Sequence, residues 1–142
     1  MRKTRILVTG ASGLLGLNTA LEAAKDHLVF GQVNRHRLNT SAFTTVQADL
    51  LVSGAAQRLL ERTHPDWVIH CAALANVDAC ESDPQGAKQL NSEFPGELAQ
   101  LVAKGGARLL HVSTDAVFDG ALGDYREEDA PNPLSILSLI HI

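Results

Sequence analysis

Five short apolar runs set the frame of this chain: RILVTG (5–10), HLVFGQVN (27–34), FTTVQADL (43–50), WVIHCAA (67–73) and ARLLHVST (107–114). Each is continuous instead of alternating with polar residues, which predicts strands buried on both faces. Between them lie longer segments of helical period: 14–26, 54–66 ended by Pro65, and 83–106, where Pro95 is expected to kink or split the helix before Gly105-Gly106 stop it. Strands joined through helical crossovers must run parallel, with helices on both faces. The reading is an α/β fold, a doubly wound parallel sheet of about five strands in the order 3-2-1-4-5. It is incomplete at its C-terminus, because the usual sixth strand is missing.

The first strand leads into VTGASGLLG, which puts Gly10, Gly13 and Gly16 where strand gives way to helix. Glycines there let the backbone approach a pyrophosphate, whose charge is met by free N–H groups at the helix N-terminus. Gly16 allows the helix to pack closely on the sheet. The spacing is GxxGxxG, one residue longer at the first gap than the usual dinucleotide fingerprint. Together with the strand order it makes the chain a dinucleotide-binding Rossmann domain over 1–135.

The residue that selects the dinucleotide lies about 20 positions past the glycines, where a carboxylate would take the ribose hydroxyls of NAD. Here the sequence is VNRHRL, with Arg35 and Arg37 and no acid. A guanidinium suits a 2′-phosphate in charge and in bidentate geometry. NADP(H) is therefore favoured and NAD(H) stays open.

Composition narrows the alternatives. A formal charge of −4 is the wrong sign for a nucleic-acid binder. Apolar residues make up 45% and charged residues 20%, ordinary for a soluble globular protein, and no run approaches the length needed to span a bilayer. Cys71 and Cys80 are too few for a zinc site, no metal-ligand spacing is present, and two free thiols fit a cytoplasmic protein. His70 and His111 fall inside strand runs and read as core residues.

VTGASGLLG, ADL (48–50), HCAALANVDACESDP (70–84) and VSTDAVFDG (112–120) resemble, in order, the extended short-chain dehydrogenase/reductase superfamily. Within it, AALANVDACE and STDAVFDG are most similar to the dTDP-4-dehydrorhamnose reductase, or sugar-nucleotide-binding, family. The resemblance implies a reductase of a nucleotide-linked 4-keto-6-deoxysugar. It implies cofactor contacts at Gly10, Ser12, Gly13, Leu14, Leu15 and Gly16, at Asp49 and Leu50 beside the adenine, at Ala72, Ala73 and Leu74, and at Asn91, to which the reading of the second strand's end adds Arg35. It implies that Thr114 hydrogen-bonds the substrate carbonyl, with Asp115 beside it. Plainer roles are open for several of these: Asp49 as a turn cap, Thr114 as a backbone cap, Asp119 as a loop former. The family also allows a homodimer, and it contains two other kinds of function: sugar-nucleotide epimerases or dehydratases, and a non-catalytic regulatory subunit of methionine adenosyltransferase.

In the superfamily the alkoxide is protonated by a tyrosine with a lysine four residues on. The one tyrosine here is Tyr125, followed four residues later by Asp129, and it matches a loop pattern Y-x-E-x-D instead. The chain closes on PNPLSILSLIHI, and likeness to the family fades after Ser135, where the Tyr-x-x-x-Lys helix is due. The expectation is that 136–142 is a non-native or truncated tail, and that the chain as it stands binds a cofactor without turning over a substrate.

Overall fold

The computed structural model describes residues 2–141. They divide into two compact units: one built from the residues up to Ala72 together with Phe94–Val112, the other from Ala73–Glu93 together with the residues from Ser113 onward.

The first unit holds β1 (Arg5–Thr9), α1 (Leu14–Ala23), β2 (Leu28–Val33), β3 (Thr44–Gln47), α2 (Ala55–Thr63), β4 (Trp67–His70), α5 (Phe94–Gly105) and β5 (Arg108–His111). All five strands are parallel, in the order β3-β2-β1-β4-β5, as the apolar runs predict. The central strand is the driest: Leu7 and Val8 are fully buried, and Val8 packs with Ala11, Ala20, Val29, Val33 and Phe43. β5 has a neighbour on one side only, so its apolar sequence is left half covered and Leu110 is 47% exposed. The strands are shorter than the apolar runs. β1 stops at Thr9 because Gly10 turns left-handed at φ +66°. α2 stops at Thr63, two residues before Pro65, where His64 takes up a left-handed cap at φ +41°.

The second unit is made of short helices and loop. α3 (Val77–Ser82), absent from the sequence reading, is nucleated by Asn76, whose side chain accepts the Ala79 N–H at 2.8 Å. α4 (Pro84–Lys88) starts the same way from Asp83, with Pro84 at the first helical position. A π-helical turn, Gln89–Glu93, comes next in the chain and ends just before α5. The predicted helix over 83–106 is thus split in three, and the wide turn falls immediately ahead of Pro95, whose ring cannot fit a regular α-helical interior. A 3₁₀ turn covers Asp115–Val117.

Residues Ile136–Ile140 form α6, with a capping box between Ser135 and Ser138 and with Leu137 packed against Cys80 and Ala87. The tail is helical here as far as it is described; Ile142 lies outside the described residues.

Candidate functional site

In the first unit the glycine turn is built at the carboxyl ends of β1 and β4. A Cβ on Gly10 would lie 2.8 Å from the backbone N and Cα of Ala72, so neither its φ nor its surroundings admit a side chain. On Gly16 a Cβ would overlap the carbonyl oxygen of Gly10, which ties the start of α1 to the turn. Gly13 donates its N–H to the Gly10 carbonyl at 2.9 Å and serves as N-cap of α1, with no side chain capping the helix and no acid in its first turn. The first intrahelical bond, Leu17 N–H to the Gly13 carbonyl, comes after Leu14, Leu15 and Gly16. Three early amides at the positive end of a helix thus lack both a cap and a counter-charge, which fits an exogenous anion such as a pyrophosphate. Ser12 is exposed, as are Leu14 and Leu15, an apolar rim that the core does not need.

Two buried polar residues hold this turn. Gln32 is 2% exposed and engages both ends of its amide: Oε1 accepts the Gly10 N–H at 2.9 Å, and Nε2 donates to the Ala48 carbonyl at 2.7 Å. Thr9 Oγ1 accepts the N–H groups of Cys71 and Ala72, each at 3.2 Å. Its lone pairs thus engaged, its hydroxyl hydrogen goes to His70 Nδ1 at 2.6 Å. His70 is therefore neutral with its proton on Nε2, and Nε2 is buried with no hydrogen-bond partner among the described residues. Burial first, and then the nearby His111, push the His70 pKa down to about 4, in keeping with a neutral ring. His111 stacks on it with ring centroids 5.2 Å apart, and Phe94 tilts against it at 5.5 Å.

Beyond β2, Arg35 is exposed and makes no side-chain bond among the described residues, whereas Arg37 Nε donates to Gln47 Oε1 at 3.1 Å. Gln47 Nε2 in turn donates to the Asn34 carbonyl at 3.1 Å. Past β3, Asp49 Oδ1 accepts the Leu51 N–H at 3.0 Å, the turn-capping alternative, and its carboxylate is exposed. Leu50 buries its side chain, leaving its main chain for any ligand.

The second unit carries the other candidates. Ala73 is exposed. Leu74 is clasped at both backbone groups by Asn91, which is 3% exposed: Oδ1 accepts the Leu74 N–H at 2.8 Å and Nδ2 donates to its carbonyl at 2.9 Å. These two bonds fix the Leu74 backbone, and the buried Asn91 side chain serves as its clasp. Thr114 Oγ1 accepts the Ala116 N–H at 3.2 Å and caps the 3₁₀ turn, while its own hydroxyl hydrogen stays available. Asp115 is the exposed first residue of that turn.

Asp119 gathers the loop after it: its carboxylate accepts the Tyr125 hydroxyl, the Ala121 N–H at 2.9 Å and Asn132 Nδ2 at 2.8 Å. The Tyr125 hydrogen bond is the largest of the causes that hold the Asp119 pKa at about 2, and the same bond raises that of Tyr125. Tyr125 is thus a loop pillar, stacked on Phe118 at 4.6 Å.

Thr9, Gln32, His70 and Gln47 are the structural partners that the sequence reading did not assign to the site. Among the described residues, no three His, Cys, Asp or Glu side chains converge on a metal-sized site, and no helix is long and apolar enough to cross a membrane.

Comparison with known proteins agrees with this fold. The profile of the RmlD substrate binding domain family matches residues 4–139. The chain is 40% identical over 134 residues to methionine adenosyltransferase 2 subunit beta of Bos taurus, covering 93% of this chain and 39% of that protein. It is 41% identical over 122 residues to dTDP-4-dehydrorhamnose reductase of Mycobacterium tuberculosis, covering 86% of this chain and 36% of that protein. Among solved structures, a hypothetical dTDP-4-dehydrorhamnose reductase from Sulfolobus tokodaii superposes with a TM-score of 0.89 at 31% identity, covering 97% of this chain and 49% of that one. The Bacillus anthracis dTDP-4-dehydrorhamnose reductase, solved in complex with NADP, gives 0.74 at 26% identity, covering 99% of this chain and 47% of that one. The chain therefore spans less than half the length of each of these proteins.

Proposed function

The chain belongs to the RmlD substrate binding domain family, and from that premise we propose that it is the dinucleotide-binding portion of a reductase that uses NADP(H) in preference to NAD(H) on the 4-keto group of a nucleotide-linked 6-deoxysugar. One observation carries the reading: α1 begins behind the left-handed Gly10 with its first-turn amides uncapped and no acid beside them. Such an end is stabilised by an anion brought from outside. The Bacillus anthracis relative, solved with NADP, supports the same class of ligand.

In this reading Gly10, Ser12, Gly13, Leu14, Leu15 and Gly16 hold the pyrophosphate, and Arg35 and Arg37 supply charge for a 2′-phosphate. Asp49 and the Leu50 main chain lie against adenine, and Ala72, Ala73 and Leu74 line the ribose and nicotinamide. When bound, the reduced nicotinamide supplies hydride to a ketone carbon. Thr114, with its oxygen already engaged by the Ala116 N–H, donates its hydroxyl hydrogen to the ketone oxygen and polarises it, with Asp115 beside it. Tyr125 does not supply the proton, because its hydroxyl is committed to Asp119 and its pKa is raised. On this reading the chain alone binds the dinucleotide, and the proton for the alkoxide comes from a group other than Tyr125.

Titrating folded protein with NADPH and with NADH, followed by nicotinamide fluorescence, tests the reading. A saturable signal that is tighter for NADPH supports it; no saturable signal from either refutes it.

The 40% identity to methionine adenosyltransferase 2 subunit beta favours a second reading, a dinucleotide-binding subunit that works by association. Reduction of a 4-keto nucleotide sugar by a longer form of the protein supports the enzyme. A change in the activity of a methionine adenosyltransferase on mixing, without such reduction, supports the subunit.

A further inference from the structure

The glycine turn and the start of the loop after β2 share one edge of the first unit. Gln32 joins the Gly10 amide to the Ala48 carbonyl just past β3, so the ends of β1, β2 and β3 are tied together. One residue before Ala48, Gln47 makes a second tie. Its Nε2 holds the Asn34 carbonyl and its Oε1 holds Arg37 Nε, both at 3.1 Å.

This second tie has a chemical consequence. A guanidinium presents a planar fork of donors. In Arg37 the Nε–H is spent on Gln47, which fixes the plane and leaves both terminal nitrogens, the pair suited to bidentate phosphate contact, unspent. Among the described residues Arg37 makes no ion pair, so none of their carboxylates competes for that fork. Arg35, two residues earlier, is exposed with no side-chain partner among the described residues, and it would have to be ordered by the ligand itself. Holding a long side chain in its bound rotamer beforehand removes part of the ordering cost of binding.

We propose that Gln47 is the positioning residue for dinucleotide selectivity: clamped to the Asn34 carbonyl, it holds the Arg37 guanidinium in the orientation that receives the 2′-phosphate of NADP(H). The inference rests on the reading that this chain binds NADP(H) in preference to NAD(H). Gln47 acts in this proposal through Arg37, to which it is hydrogen-bonded, so its effect must vanish without Arg37 and must be absent for NADH.

The test is a set of dissociation constants for NADPH and NADH with the parent protein, Gln47→Met, Arg37→Ala, the double variant, and Gln47→Met in an Arg35→Ala background. The NADPH constant is expected to rise about three- to tenfold in Gln47→Met, the scale for one unfixed long side chain. The NADH constant is expected to stay where it is. In the Arg37→Ala background Gln47→Met should add nothing, whereas in the Arg35→Ala background it should add its full penalty.

An unchanged NADPH constant in Gln47→Met overturns the proposal, as does an equal loss for NADH or an undiminished effect without Arg37. If the parent protein binds both dinucleotides equally, or neither, the underlying reading fails instead. Gln47 is exposed at the end of β3, and Gln47→Thr, which keeps strand propensity, serves as the second variant if Gln47→Met does not fold.

Discussion

The hydroxyl of Thr9 sits 2.6 Å from Nδ1 of His70, joining the last residue of β1 to the last residue of β4 directly beneath the glycine turn. The same oxygen accepts the Cys71 and Ala72 amides, and Ala72 is the residue on which Gly10 closes. Replacing Thr9 by Val leaves two amides and a ring nitrogen without a partner. Thr9→Val is expected to cost about 1–3 kcal/mol in urea unfolding, the scale for buried groups left unsatisfied. Thr9→Ser should cost much less.

His70 also makes stability depend on pH. Its folded pKa of about 4 lies below its ordinary 6.5, so between those values the unfolded chain binds more protons. Stability should fall as pH drops from 6.5 to about 4 and gain no further loss from this group below that. The contribution is at most about 3 kcal/mol by linkage. Denaturant midpoints across this range should show the slope in the parent protein and a shallower one in His70→Asn.

Gly10 and Gly13 should separate fold from ligand. A Cβ at Gly10 meets backbone at 2.8 Å with φ at +66°, whereas at Gly13 the nearest atom is the Gly10 carbonyl oxygen at 3.3 Å and φ is −84°. Gly10→Ala is expected to destabilise by more than about 2 kcal/mol, combining strain and overlap. Gly13→Ala should cost about 1 kcal/mol or less and still weaken dinucleotide binding, because its methyl group occupies the approach to the first-turn amides. Thermal melts with and without NADPH check both.

Asn91 makes a sharper case in the second unit. Both halves of its amide serve Leu74, one accepting and one donating. Asn91→Asp keeps the acceptor but sets a carboxylate against the Leu74 carbonyl. It is expected to destabilise by about 1–3 kcal/mol at neutral pH, and by less once acid protonates the side chain and restores a donor. Stability curves at two pH values decide this.

Asp119 predicts the acid response of the loop. Its pKa is lowered to about 2, chiefly by the Tyr125 hydrogen bond, so the carboxylate's hold on Tyr125, Ala121 and Asn132 is complete above its ordinary value of 3.8 and lost as pH falls through 2. Asp119→Ala should raise hydrogen exchange across residues 119–132 at neutral pH, while exchange in the strands stays unchanged.

The inner strands were legible because burial on both faces is written as an unbroken apolar run, and the order 3-2-1-4-5 is that of the doubly wound nucleotide-binding sheet those runs suggest. The short helices were not. α3 depends on one side-chain cap at Asn76, and the π turn before Pro95 answers a local steric conflict that has no hydrophobic period. At the site, the glycine spacing stood out because it needs no side-chain geometry. Gln32 and His70 were hidden by lying inside apolar runs, where a polar residue looks like a tolerated exception. A usable signal was present, since a buried amide must find partners on both its oxygen and its nitrogen. Asn91 matched a family pattern, yet its hydrogen bonds to Leu74 depend on how the chain folds back in three dimensions and left no trace in spacing.

The account stands on the first turn of α1 receiving a dinucleotide's pyrophosphate. The most direct measurement follows the backbone amide resonances of Ser12 to Gly16 while NADPH is added to isotopically labelled protein. Saturable shifts centred on Gly13, Leu14, Leu15 and Gly16, with a common dissociation constant, are predicted. A folded protein in which those amides stay still, or in which the largest shifts fall elsewhere, would contradict it.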